Sequence, residues 1–217
     1  WGEASGWQGV WYQNPGVPDG EWKAHVVLDN IANEAIVWTD INADGKPEIV
    51  YSSPEHFGYA TFDTQQASAR WKFHPISEKM EIKLGQGIGA GDITGNGRID
   101  LICKDGWWQH PSGQKHPWAW HAWPFAENAA DMLVYDVNGD GLNDIITVWH
   151  AHKYGLVWHE QFRDKQGRIK WKRHEILPLD PQMDSDELRV SQLHALALAD
   201  MNGNGRMDIV AGKRWWA

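Results

Sequence analysis

Short β-branched and aromatic runs, bounded by glycine, proline, asparagine and aspartate, recur along the whole chain, and helical periodicity is nearly absent. Ala35-Ile36-Val37-Trp38 and Glu48-Ile49-Val50-Tyr51 flank a polar loop that begins at Asp40, and similar pairs flank loops that begin at Asp92, Asp136 and Asp200. Each pair predicts a hairpin. A glycine-led aromatic run follows three hairpins and also stands near the chain start: Gly9-Val10-Trp11-Tyr12, Gly58-Tyr59-Ala60-Thr61-Phe62, Gly106-Trp107-Trp108-Gln109 and Gly155-Leu156-Val157-Trp158-His159. A fourth run carries Trp-x-x-His, at Trp22/His25, Trp71/His74, Trp118/His121 and Trp171/His174. The loop starts are separated by 52 (92 − 40), 44 (136 − 92) and 64 (200 − 136) residues. Four short strands per unit of roughly 45 residues is the arithmetic of a propeller blade.

The pattern divides the chain into a half-blade over 1–30, blades over 31–77, 78–126 and 127–177, and a half-blade over 190–217. The first half-blade supplies strands three and four, and the last supplies strands one and two. The expected fold is all-β, a β-propeller of four-stranded blades in a single domain. The favoured assembly is an arc of a larger, seven-bladed ring, with a closed four-bladed ring as the alternative. The chain opens at Trp1 without an initiator methionine or a leader, which reads as a mature product or an excised piece.

The loops carry the first candidate chemistry. In Asp136-Val137-Asn138-Gly139-Asp140-Gly141-Leu142-Asn143-Asp144, oxygen-bearing side chains at positions 1, 3, 5 and 9 surround a glycine at position 6. Hard cations such as Ca²⁺ take several oxygen ligands, and a tight turn of alternating carboxylates and amides supplies them. The expected calcium ligands are Asp40, Asn42, Asp44 and Glu48; Asp92, Thr94, Asn96 and Asp100; Asp136, Asn138, Asp140 and Asp144; and Asp200, Asn202, Asn204 and Asp208. The loop at Asp92 has lost its position 3 amide to Thr94 and should bind most weakly. An EF-hand is excluded, because Thr147 stands where that motif needs a bidentate glutamate and strands replace its helices.

With its Asp-x-Asn-x-Asp-Gly-x-x-Asp loops and β-branched tails, the chain resembles the FG-GAP or VCBS repeat family of β-propellers. The resemblance covers nearly the whole chain. It implies calcium in the loop between the first and second strands, at one face of the propeller, with the second strand ending at the opposite face.

Charge and composition narrow the partners. A net charge of −9, from 29 acidic and 20 basic residues, argues against nucleic acid. No window approaches the roughly 18 to 20 apolar residues of a membrane-spanning helix. The lone Cys103 rules out an internal disulfide framework. Loops of modest calcium affinity fill where calcium is millimolar, so an extracellular or periplasmic location is expected. Sixteen tryptophans serve either as repeated anchors or as stacking surfaces for sugar rings.

The histidines of the Trp-x-x-His runs recur in every unit, and a repeated hydrogen bond that locks the outer strand explains them. Others do not recur. His56 and His152 each lie eight residues past position 9 of their loops, His150 and His152 alternate on one side of extended backbone, and His194 opens an innermost strand. All four are expected at the axial mouth on the face opposite the loops, where converging imidazoles suit Zn²⁺ or another first-row metal. Lys213 and Arg214, with Lys104 and Asp105 at similar offsets, belong to the same face, and Glu34 occupies the register of His194. A basic pair beside a Lewis acid stabilises an enolate. Trp149 and Trp215 are the candidate sugar platforms. The His-containing mouth is also similar to the propeller domain of aldos-2-ulose dehydratase-like sugar lyases. That similarity implies a metal-assisted carbohydrate lyase or dehydratase, in which His150, His152, His194, Lys213 and Arg214 act in catalysis. The alternative is a non-catalytic module that binds a glycan or protein, with further blades of a longer chain as additional partners.

Overall fold

The computed structural model describes residues 7–82, 87–113, 115–151, 153–179, 193–212 and 214–217. Strands β1 (Trp7–Gln13) and β2 (Lys23–Ile31) pair as a two-stranded sheet. The first complete blade contains β3 (Val37–Thr39), β4 (Glu48–Ser52), β5 (Phe57–Thr61) and β6 (Lys72–Pro75). The second contains β7 (Ile88–Gly91), β8 (Asp100–Cys103), β9 (Gly106–Gln109) and β10 (Ala119–Ala122), and the third β11 (Met132–Tyr135), β12 (Asp144–Val148), β13 (Leu156–Arg163) and β14 (Ile169–Leu177). A last sheet joins β15 (Leu196–Ala199), β16 (Asp208–Ala211) and β17 (Arg214–Trp216). Every pairing is antiparallel between consecutive strands. β3 contacts β7, β7 contacts β11 and β11 contacts β15, so the first strand of each blade lies innermost. The fold is an all-β propeller, as the spacing predicts.

The last sheet departs from the expected two strands. Gly212 turns at φ +57° and returns Arg214–Trp216 along β16, so Trp215 pairs with Val210 as Trp107 pairs with Ile102 in the second blade. Trp215 therefore stands in the third-strand aromatic register of the repeat.

Within the sheets one device repeats four times. The histidine of each Trp-x-x-His run lies directly across from the third-strand aromatic, in the pairs Trp11–His25, Tyr59–His74, Trp107–His121 and Trp158–His174. The rings stack with centroids 5.0, 5.0, 4.2 and 4.4 Å apart. Each histidine Nε2 also meets the residue two positions beyond that aromatic: Gln13 at 3.1 Å, Thr61 at 2.9 Å, Gln109 at 3.2 Å and Glu160 at 2.7 Å. This is the outer-strand lock that the recurrence predicts. The glycine ahead of the aromatic has its own reason, since a Cβ on Gly106 would collide with the carbonyl oxygen of His121.

Between the sheets the contacts are apolar. Trp118 joins the cluster shared by the first and second blades with Phe57, Ile88 and Trp108, and Trp171 joins Phe125, Ile102 and Ile145 at the next joint. At the axis, side chains on Gly89 and Gly91 would run into Met132 and Val134 of β11, so these glycines let two inner strands close on each other.

Candidate functional site

The four polar loops occupy one end of the propeller, because each leaves the end of an inner strand and re-enters as the second strand. Position 6 glycines hold φ between +79° and +86° (Gly45, Gly97, Gly141 and Gly205), the left-handed region that favours glycine. The position 1 carboxylate then accepts backbone N–H groups from across the turn, as in Gly97 N–H to Asp92 Oδ2 at 2.7 Å and Gly141 N–H to Asp136 Oδ2 at 2.9 Å. Position 9 behaves differently. Glu48, Asp100, Asp144 and Asp208 are buried at 2%, 0%, 0% and 2% exposure, and each accepts the N–H of its own loop's position 2 residue at 3.0 to 3.2 Å. Burial pushes the Asp100 carboxyl up to about 6, and also raises those of Glu48 and Asp144.

These observations allow a fit to calcium to be judged. Every donor is a hard oxygen, and the backbone is wound as a tight turn. The loops at Asp40 and Asp136 offer three carboxylates and an amide oxygen each, the loop at Asp200 two carboxylates and two amides, and that at Asp92 two carboxylates, one amide and the Thr94 hydroxyl. The residues suit Ca²⁺ in that order of strength, because affinity follows ligand charge.

At the opposite end the inner strands begin around a small axial recess of about 280 Å³, lined by Glu34, Ala35, Ile36, Ala130, Asp131, Ala151, His194 and Ala195. His194 Nδ1 lies 3.6 Å from Glu34 Oε2, both side chains being roughly half exposed. The repeat register that aligns Glu34 with His194 thus brings them together across the axis. Asp131 completes the group: its N–H donates to the His194 carbonyl at 3.3 Å, its Oδ2 accepts the Leu196 N–H at 3.0 Å, and burial raises its carboxyl. An imidazole beside a carboxylate can relay a proton or orient a hydroxyl.

The remaining predicted residues distribute differently. His152 and Lys213 lie outside the described residues. His150 sits half-buried in the turn after β12, where its backbone bridges Asn128, and it is Ala151 that lines the recess. His56 contacts the Ser77 carbonyl through Nδ1 at 3.2 Å and does not line the recess. Among the described residues no group of three or more His, Cys, Asp or Glu is placed to hold a metal. Arg214 is exposed at the start of β17. Trp149 is half-buried against the second joint with the Arg173 guanidinium 4.7 Å over its ring, which occupies one face of the expected platform. Trp215 is 44% exposed, and its third-strand register accounts for that: no fourth strand with a stacking histidine covers it among the described residues.

No family model, no curated protein and no solved structure matches the chain.

Proposed function

We propose that the chain is a calcium-stabilised propeller of the FG-GAP or VCBS type whose work is to bind carbohydrate, in an extracellular or periplasmic setting. The observation that carries this reading is where the space lies. The axial recess of about 280 Å³ falls below the roughly 300 Å³ at which small-molecule pockets begin, whereas a cavity of about 560 Å³ walled by tryptophans opens between the second and third blades. Tryptophan faces pack well against the C–H-rich faces of sugars. The calcium loops act as scaffold, at the far end from the mouth. Binding to a panel of oligosaccharides, followed by calorimetry, tests the reading; absence of any sugar binding would sink it.

A second reading, a lyase or dehydratase at the mouth, draws on the Glu34–His194 approach of 3.6 Å. His194 would remove a proton next to a carbonyl, with Glu34 orienting its ring. His150, His152, Lys213 and Arg214 belong to this reading, as does a transition metal, which would polarise that carbonyl when bound. Its test is turnover of a binding sugar, with His194→Ala abolishing it and leaving the melting temperature in place.

Calcium has its own check. EDTA should lower the melting temperature and added Ca²⁺ should restore it, with Asp136→Ala removing part of that response and Asp92→Ala less. A melting temperature indifferent to EDTA would remove calcium from the account.

A further inference from the structure

The cleft between successive blades recurs three times with three different linings. In each, the third-strand aromatic of one blade faces the region just before the fourth strand of the next. Between the sheet β1–β2 and the first blade the walls are apolar, with Val10, Trp11, Trp38, Phe62 and Trp71. Between the first and second blades they are polar, with Asn42, Asp44, His110 and His116 beside Tyr59. Between the second and third they combine Trp107, Trp123 and Trp171 with Arg163, Arg168 and Lys170, and the lining contains no carboxylate. Trp107 and Trp171 come with the repeat; Trp123 and Arg163 do not, and Lys170 stands before Trp171 as Arg70 stands before Trp71.

That concentration of positive charge stands in a chain of net charge −9. Surface cations in such a chain ordinarily meet acids. Arg168 does so, through its Nε 2.7 Å from Asp164 Oδ2. Lys170 makes no ion pair among the described residues. Arg163 donates from Nη2 to the Thr94 carbonyl at 3.2 Å, which anchors the guanidinium to the loop of the preceding blade and leaves its other N–H groups for a ligand. Trp123 is half-buried on the facing wall, and its backbone N–H donates to the Asp105 carbonyl at 2.9 Å. The cavity of about 560 Å³ has room for a sugar ring. A planar guanidinium and an ammonium suit one carboxylate, while an indole suits a ring face. The overall negative charge disfavours a long polyanion and favours a ligand with few charges.

We propose that this cleft binds a uronic acid residue of a glycan, its carboxylate held by Arg163 and Lys170 and its ring laid against Trp123. The proposal rests on the carbohydrate reading and deepens it by naming the charged sugar class.

The test uses the 217-residue chain with digalacturonate, its dimethyl ester and inorganic phosphate as calorimetric probes, beside a panel of neutral oligosaccharides. Arg163→Gln with Lys170→Gln should weaken digalacturonate binding at least ten-fold while the chain still unfolds in one cooperative transition. The ester should bind the unsubstituted chain more weakly than the acid, and raised salt should narrow that gap. Lys23→Gln, on the exposed β2, should leave digalacturonate binding intact. Unchanged affinity in the double variant, displacement by equimolar phosphate, or loss of binding in Lys23→Gln would each overturn the proposal. Binding of neutral sugars without digalacturonate would overturn it and leave the carbohydrate reading standing; no binding of any sugar would remove both.

Discussion

The joints between complete blades and the outer side of the N-terminal sheet are written with the same residue and filled differently. Trp118 and Trp171 are 5% and 6% exposed, whereas Trp22, at the same place in its repeat, is 54% exposed. Inside the sheets no such difference exists. His25 stacks on Trp11 and meets Gln13 just as His174 stacks on Trp158 and meets Glu160. The contrast separates two kinds of stabilisation. Hydrogen bonds and ring stacking within a blade are local and complete wherever the blade stands, but apolar burial between blades needs a neighbour on that side. Trp22 is a joint residue with no blade against it among the described residues.

The comparison can be broken most directly at the tryptophans. Trp171→Ala should cost about 3 to 5 kcal/mol of unfolding free energy, and Trp22→Ala less than about 0.5 kcal/mol. Urea unfolding of both variants measures the difference, and equal losses would mean that Trp22 is covered in solution.

A smaller effect comes from His159, which crosses the second joint. It is 1% exposed, its Nε2 donates to the Phe125 carbonyl at 2.8 Å, and burial pushes its pKa down to about 4. The unfolded chain takes up this proton near pH 6.5 while the folded chain resists until about pH 4. The unfolded state therefore binds more protons across that window, and stability falls as pH drops through it, by on the order of 3 kcal/mol from this group. His159→Gln should flatten that part of the profile when unfolding is followed at pH 7 and pH 4.5. An unchanged slope would assign the acid sensitivity to other groups.

The smallest expected effect sharpens the other half of the comparison. His174→Ala and His25→Ala should each cost about 1 kcal/mol, since both remove one stack and one hydrogen bond. A loss confined to the interior sheet would contradict the claim that the lock acts blade by blade.

The repeated features were legible because each is set by local sequence at a fixed offset. Hairpin spacing located the blades, and recurrence of Trp-x-x-His located the outer-strand lock. The same logic aligned Glu34 with His194, each six residues ahead of its loop (40 − 34 and 200 − 194). Asp131 was hidden because it stands five residues ahead of Asp136 (136 − 131), one step out of that register. Trp215 was readable and was read as a ligand platform instead. Its offset of seven from Asp208 (215 − 208) equals that of Trp107 from Asp100 (107 − 100), which marks a third-strand residue. Trp149 and His150 fall where a strand gives way to a turn, so period-two reasoning has no hold on their direction. The cationic cleft had no sequence signal at all. Its walls come from different blades, and only the packing of one on the other brings Trp123 near Arg163 and Lys170.

The loop at Asp92, poorest in cation ligands, is also the one most firmly tied to its neighbour. Three successive carbonyls, those of Asp92, Ile93 and Thr94, accept side-chain donors from the third blade: Asn143 at 2.7 Å, Gln161 at 3.0 Å and Arg163 at 3.2 Å. Such stitching changes the grain of unfolding. The loop cannot swing open without surrendering bonds that belong to the third blade, so the two blades should come apart as one cooperative piece rather than in series. This loop draws rigidity from the adjoining protein, and a ligand seated on Arg163 would tighten the same seam.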